Sequence, residues 1–305
     1  MKVHSFELLP KETRILFDKT KRKNLLPNNV KIIQSLKVHR NTANSWLRGE
    51  YNPSIGQLEK LGVDTKSNWK NIISINLEGG RKKFLIPEFL SIDKLSWLLG
   101  ILDGDGIVEE NHRIGVINQD TKLIKDFIET CIEVFGISRN DFSVEVIWNS
   151  EHNIGKELLI DKIKTKKLYY GVYKSNKPIV KAMINSRILY TVMENFRNFM
   201  EKEINEKKAN KFALYVRGLM DSDGSFARNN ICLTQKDKEK NRAKMINVRK
   251  ILDSLGVSHG GIRGPNSKNM LFIYLKSNRE NLIKYNNFIG FNSRHKMEKL
   301  STLLS

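Results

Sequence analysis

LLGILDGDG at residues 98–106 and VRGLMDSDG at residues 216–224 are two copies of one pattern. Each is an apolar helical run with glycine in its third place, closed by Asp, a small residue, Asp and Gly. Asp105 and Asp223 lie 118 positions apart. That spacing is long enough for each copy to head its own compact half domain. Two half domains that each carry one acid point to a paired active site.

The rest of the chain follows one plan twice. After the first copy comes a hairpin pattern, IVEENHRIGVIN, turning near residues 110–112; after the second comes SFARNNICLTQ, turning near residues 228–230. Helix patterns follow at residues 122–135 and 240–255, each closed by glycine, at Gly136 and Gly256. Strand patterns come next, FSVEVIW and KLYYGVY in the first half and MLFIYLK in the second. The triplet Lys174, Ser175, Asn176 then recurs as Lys276, Ser277, Asn278. Residues 200–211, MEKEINEKKANK, are polar and charged and read as a linker or an exposed helix end. Each half is expected to be an α+β unit, helices on one face of a short antiparallel sheet and the other face left for a ligand. The boundaries fall at residues 91–205 and 206–305.

Residues 1–90 contain neither copy and carry 17 Lys plus Arg against 8 acids. They read as a small, basic, all-α segment. Residues 29–36 and 40–48 form helix patterns around a tight connection, and Gly49 ends the second. In that second helix Ala43, Trp46 and Leu47 share one face. Arg40, Asn41, Asn44, Ser45 and Arg48 share the other, with the chemistry to meet base edges and phosphates. VHRNTANSWLRGEYNPS resembles the recognition region of repressor-like helix-turn-helix domains over some 20 residues. Gly79, Gly80 and the run Arg81, Lys82, Lys83 read as a linker, either touching phosphate or simply solvated.

Composition narrows the partner. The chain has 53 Lys plus Arg against 33 Asp plus Glu, a formal charge of +20 in 305 residues. This excess favours a polyanion, with nucleic acid first. No stretch approaches the ~18 continuous apolar residues of a membrane helix and the N-terminus lacks a secretory pattern, so no membrane partner is expected. The expected location is intracellular, either cytoplasmic and nucleoid-associated or organellar. Cys131 and Cys232 are far apart in apolar segments and read as buried reduced thiols rather than a disulfide or zinc site.

Gly100 with Gly104, and Gly218 with Ser222, are spaced four apart and fall on one helix face. Small residues there allow two helix backbones to pack closely around a pseudo-twofold axis, with Asp105 and Asp223 converging at the C-terminal ends. Gly106 and Gly224 are expected to turn the chain in the left-handed conformation. Two adjacent carboxylates at helix C-termini repel each other and oppose the helix dipoles, so protons or cations must compensate. Oxygen-only ligands favour Mg²⁺, completed by water and phosphate. A metal held between acids activates water and stabilises the leaving oxygen of a phosphodiester.

On these residues the chain resembles the LAGLIDADG homing endonucleases in their double-motif, single-chain form, over roughly residues 91–305. The first copy departs from the motif conservatively, at Leu99, Ile101, Leu102 and Gly104. The second departs at Val216, Arg217, Met220 and Ser222, and Arg217 is expected to point away from the helix contact. The resemblance implies two pseudo-twofold-related half domains whose sheets form a saddle in the DNA major groove. It makes Asp105 and Asp223 the metal ligands and leaves Asp103 and Asp221 as supporting acids. Asn118 and Gln235 match the solvent-orienting positions, and Lys296 or Arg294 supplies the basic residue of the second half, with no match in the first. Arg113 and Arg228, on the hairpins, join Arg40, Asn41, Asn44 and Arg48 as candidate DNA contacts.

The implied activity is site-specific, metal-dependent cutting of both DNA strands at a long asymmetric site, leaving a short stagger, by a monomer serving the mobility of an intron or of its own gene. An intein is disfavoured, because the chain begins with Met1 and ends with Leu304 and Ser305 rather than with splicing residues. Two alternatives stay open: a catalytically inactive DNA-binding transcription regulator, and an intron RNA maturase on the same basic surface.

Overall fold

The computed structural model describes residues 1–77, 84, 86–109, 112–148, 167–172, 179–227 and 230–305. The first elements are β1 (Lys2–His4), α1 (Ser5–Leu8), β2 (Thr13–Phe17) and α2 (Lys19–Leu25), followed by α3 (Asn29–Leu36), α4 (Arg40–Arg48) and α5 (Ile55–Lys60). Strands β3 (Ile72–Leu77) and β4 (Phe89–Ser91) complete them. Helices α3 and α4 fall on the residues expected, and Gly49 ends the second as expected. Asn28 Oδ1 and His39 Nδ1 cap their N-termini, and Lys37 and Gly49 close them in the left-handed conformation.

The segment is nevertheless not all-α. Thr13–Phe17 pairs antiparallel with Ile72–Leu77, and Lys2–His4 with Phe89–Ser91. Both pairs join residues far apart in sequence, and such strands give no local hairpin signal. Ile15, Phe17 and Ile75 are buried, so the ribbon forms the floor under the helices. It is also docked: Asn195 donates to the Leu8 carbonyl at 2.8 Å, and Ile92 N to the Met1 carbonyl at 3.1 Å. Buried apolar side chains form one continuous cluster from Val3 to Leu300.

The first copy of the plan consists of α6 (Ile92–Gly104), β5 (Gly106–Val108), β6 (Arg113–Asn118), α7 (Thr121–Phe135), β7 (Phe142–Trp148), β8 (Lys167–Val172), β9 (Ile179–Asn185) and α8 (Arg187–Asn205). Its sheet runs β5-β6-β9-β7-β8, antiparallel except for the β7–β8 pair, which is parallel. The second copy consists of α9 (Ala213–Asp223), β10 (Gly224–Ala227), β11 (Asn230–Lys236), α10 (Glu239–Ser254), β12 (Met270–Tyr274), α11 (Arg279–Phe288) and α12 (Arg294–Leu304). Its sheet is antiparallel, β10-β11-β12. Of the two readings of the polar stretch at 200–211 the helix end holds for its first half, since α8 continues to Asn205, although Met200 and Ile204 on it are buried.

Alternation along the strands separates two faces. Phe142, Val144 and Val146 on β7, and Leu271 and Ile273 on β12, are buried under the helices. The opposite face of the second sheet presents Thr234, Phe272 and Tyr274, the last two stacked with ring centroids 6.0 Å apart. Glu145 and Lys181 lie cross-strand on the open face of the first sheet. Cys131 and Cys232 are buried and free. Among the described residues, no helix is long and apolar enough to cross a membrane.

Candidate active site

Helices α6 and α9 pack backbone to backbone along the predicted small-residue face. A Cβ built on Gly100 would lie 2.2 Å from the Tyr215 carbonyl oxygen, and one on Gly218 would lie 2.4 Å from that of Trp97. One turn on, a Cβ on Gly104 would meet the Ser222 Cβ at 2.4 Å and Asp223 Oδ2 at 3.0 Å. The four small residues therefore form the contact, and the close approach is what sets the two carboxylates side by side at the helix ends.

The glycines that follow do not turn left-handed. Gly224 sits at φ −72° and ψ 142°, in extended backbone, and Gly106 is not among the positive-φ residues. The chain leaves each helix straight into a strand. Glycine is required there because a Cβ would lie 2.0 Å from the Leu102 carbonyl oxygen at Gly106, and 2.3 Å from that of Met220 at Gly224.

Asp105 caps the end of α6 and Asp223 is the last residue of α9. Each is held by an amide from the following strand: Asn118 Nδ2 donates to Asp105 Oδ2 at 2.5 Å, and Gln235 Nε2 to Asp223 Oδ2 at 2.5 Å. Burial raises the pKa of Asp105. Asp223 is pushed up to about 6, by burial and then by the neighbouring Asp105 charge. The two acids thus compete for ionisation, as paired carboxylates in a partly dry site do.

Two lysines offset this charge. Lys296, on α12, donates to the carbonyls of Met220 (2.8 Å), Asp221 (2.6 Å) and Ser222 (3.2 Å), and so binds the open C-terminal end of α9. Lys244, on α10, donates to the Asp103 carbonyl at 2.8 Å and lies 3.1 Å from Asp103 Oδ1, binding the end of α6 in the same way. Cations at these carbonyls oppose the negative helix ends that disfavour the acids. Burial lowers the pKa of both lysines. Lys244 holds the end of α6 as Lys296 holds that of α9, whereas sequence reading found no basic residue for the first half. Lys244 comes from the second copy, at a position that shares an apolar helix stripe with Val248, Ile251 and Leu252. A lysine on that stripe was the available signal.

Asp103 and Asp221 are buried, and each takes one bond across from the other motif helix. Tyr215, on α9, donates its hydroxyl to Asp103 Oδ2 at 2.9 Å; Trp97, at the matching place on α6, donates Nε1 to Asp221 Oδ2 at 3.3 Å. Burial works against ionisation of Asp103, but Arg197, at 2.6 Å, and Lys244 hold it below the usual carboxylate range. Asp221 accepts from Asn292 N (2.8 Å) and Ser293 N (3.1 Å), which docks the start of α12 and places Lys296.

Other candidates are brought to different places. Arg294 is exposed and pairs with Glu298 one turn on, away from the acids, because it points to solvent from the helix that turns Lys296 inward. Arg217 points away from the helix contact and donates to the Ile289 carbonyl. Arg113 donates to Ser143 Oγ at 3.1 Å on the first sheet. Arg228, the run at 79–83 and Lys174 to Asn176 lie outside the described residues. On α4, Arg40 and Asn41 are exposed, while Asn44 is half-buried and accepts from Asn29 at 3.3 Å. Arg48 is exposed, with its guanidinium paired to Glu50 at 2.6 and 2.9 Å. Ser45 is buried rather than on the outer face, because the chain after α4 folds back and Glu50 N donates to the Ser45 carbonyl.

The donor set suits a hard divalent cation. Asp105 and Asp223 present carboxylate oxygens with no nitrogen or sulfur ligand beside them. Among the described residues there is no third acidic, His or Cys group to close a cage. Mg²⁺ prefers this arrangement, few carboxylates with water and phosphate completing the shell.

Residues 210–290 match the family model of the LAGLIDADG-like domain. The uncharacterized protein YKR011C of Saccharomyces cerevisiae is 26% identical over 131 residues, covering 39% of this chain and 37% of that protein. The chain thus spans well under half the length of that relative. Similar solved structures include mesophilic variants of the homing endonuclease I-DmoI (19% identity, 65% of this chain and 96% of that chain, TM-score 0.39). I-DmoI in complex with DNA and Mn is 18% identical, over 65% of this chain and 97% of that one, with TM-score 0.37.

Proposed function

We infer that this chain, whose residues 210–290 match the LAGLIDADG-like domain, is a metal-dependent endonuclease of the LAGLIDADG kind that cuts both strands of DNA at one long asymmetric site, leaving a short stagger. The observation that carries this reading is the placement of Asp105 and Asp223. Two half-buried carboxylates, each oriented by an amide and backed by a lysine-bound helix end, meet at the junction of two sheets in a chain of charge +20. Such a site suits phosphodiester hydrolysis, and the basic excess suits duplex DNA.

When bound, Mg²⁺ would activate water and stabilise the leaving oxygen. Asp105 and Asp223 would hold it. Asn118 and Gln235 fix the acids' orientation and so fix where their free oxygens aim. Lys244 and Lys296 keep the helix ends from repelling the acids. Arg113 and the open faces of the sheets would meet DNA, and Arg40, Asn41, Asn44 and Arg48 would extend the contact beyond the first half. Arg48 must first leave Glu50.

The purified protein is expected to cut a randomised DNA library at one long site in Mg²⁺ and to stop cutting when EDTA is added. Tight binding to a site that is never cut across a range of divalent metals would instead favour the regulator reading. Lys244→Met and Lys296→Met should each slow cutting by about 10²-fold, the range of a lost electrostatic partner. On supercoiled plasmid the two variants should accumulate nicked circles before linear product. Wild-type rates in both would reduce the lysines to a packing role.

A further inference from the structure

We propose that Ser293 is a positioning residue that ties the two halves of the site together: its hydroxyl holds Asp120, and through Asp120 it holds the amide that orients Asp105. The consequence for cutting rests on the nuclease reading above, whereas the tie itself does not.

Every step of the path is a hydrogen bond. Asn118 donates Nδ2 to Asp105 Oδ2 at 2.5 Å, and its Oδ1 accepts from Asp120 N at 2.7 Å, so both ends of the amide are held. The Asp120 carboxylate divides its oxygens. Oδ1 caps α7 by accepting from Lys122 N (3.0 Å) and Leu123 N (3.4 Å), and Oδ2 accepts from Ser293 Oγ at 3.0 Å. Ser293 belongs to the other half, on the turn whose amides bind Asp221 and which leads into α12 and Lys296. The orientation of Asp105 and the seat of Lys296 are therefore set by one connected network. Lys122 Nζ, on an exposed side chain, adds a weaker second tie to the Asn292 carbonyl at 3.4 Å.

Two features set this contact apart from ordinary packing. Ser293 is the N-cap of α12, where a serine oxygen usually accepts from a backbone N–H of the first turn, yet it makes no such bond. It is buried, and its hydroxyl is spent on Asp120 instead. The second half has no counterpart among the described residues. There Gln235 stands for Asn118 and Asp237 for Asp120, but Asp237 N donates to the Asn269 carbonyl at 2.8 Å, and Arg242 engages the carboxylate at 2.6 and 2.7 Å. The tie is one-sided, acting on Asp105 and not on Asp223.

Two variants of the full-length protein test it. Ser293→Ala removes the hydroxyl without costing α12 a side-chain cap, and Ser293→Thr keeps the hydroxyl. In EDTA, without DNA, the NMR resonance of the Asn118 side-chain amide, identified by its loss in Asn118→Asp, should move in Ser293→Ala. It should stay at the wild-type position in Ser293→Thr, and the Gln235 amide should stay in both. On target DNA with each strand end-labelled, Ser293→Ala should cut one strand about 10- to 100-fold more slowly, the range for groups that orient a metal's ligands, with target affinity kept. Ser293→Thr should cut normally. A wild type that binds DNA but never cuts would sink the nuclease reading, and the amide resonance would then decide the tie alone. An unmoved Asn118 resonance in Ser293→Ala overturns the proposal. So does an equal movement of the Gln235 amide, or a moved Asn118 resonance with both strands cut at wild-type rates by a cutting enzyme.

Discussion

Asp223→Asn is expected to cut DNA at least about 10³-fold more slowly than the wild type, with affinity for the target largely kept. The asparagine retains the shape and the bond to Gln235 but removes one of two charges at the site where the cation would bind. Asp105→Asn should behave alike. The same substitution has a second, independent consequence. Because the folded pKa of Asp223 is raised to about 6, the native state holds its proton more tightly than the unfolded chain does. Stability from this group is therefore present at low pH and is lost as pH rises from about 4 to about 6. In metal-free buffer Asp223→Asn should melt higher than the wild type at pH 7, by an amount equivalent to about 1–3 kcal/mol, and show no gain at pH 4. A variant that melts lower at pH 7 would mean the carboxylate is not strained by burial. One that still cuts at wild-type rates would remove it from the chemistry.

Gly218→Val should be strongly disruptive. Its Cβ would lie 2.4 Å from the Trp97 carbonyl oxygen, 2.8 Å from Ile101 N and 2.9 Å from Gly100 Cα, all backbone atoms that cannot swing aside. The helices would have to separate, opening a contact that buries Leu98, Leu99, Val216 and Leu219. The expected loss is roughly 3 kcal/mol or more, at the upper end of overpacking effects because both helices share one core. Gly261→Ala is the control, since nothing lies within 4 Å of a Cβ there. Denaturant melts of the two variants should differ by that margin. A Gly218→Val protein as stable as the control would show that the helices are not in backbone contact.

Much of this was legible in the sequence, for identifiable reasons. Helix periodicity placed α3, α4, α7 and α10 closely, and Gly49 and Gly136 mark the ends of α4 and α7 from within their own turn. The small-residue spacing located the contact between α6 and α9. Non-local partners were not legible. Strands β2 and β3 pair across more than fifty residues, so the N-terminal segment read as all-α. Lys244 was hidden because it serves the helix of the other copy. Arg294 and Lys296 are two residues apart on one helix and could not be separated without knowing which side faces Asp221.

The bonds from Trp97 to Asp221 and from Tyr215 to Asp103 bear on ancestry. Repetition of the plan points to a duplicated half that once paired with a copy of itself. Each modern half now buries an acid that takes donors from the other half as well as its own: Tyr215 and Lys244 beside Arg197 for Asp103, Trp97 beside the Asn292 and Ser293 amides for Asp221. Two first halves would bury a pair of Asp103 side chains without Lys244 to meet them. A half that receives Lys244 from its partner is no longer equivalent to the half that supplies it.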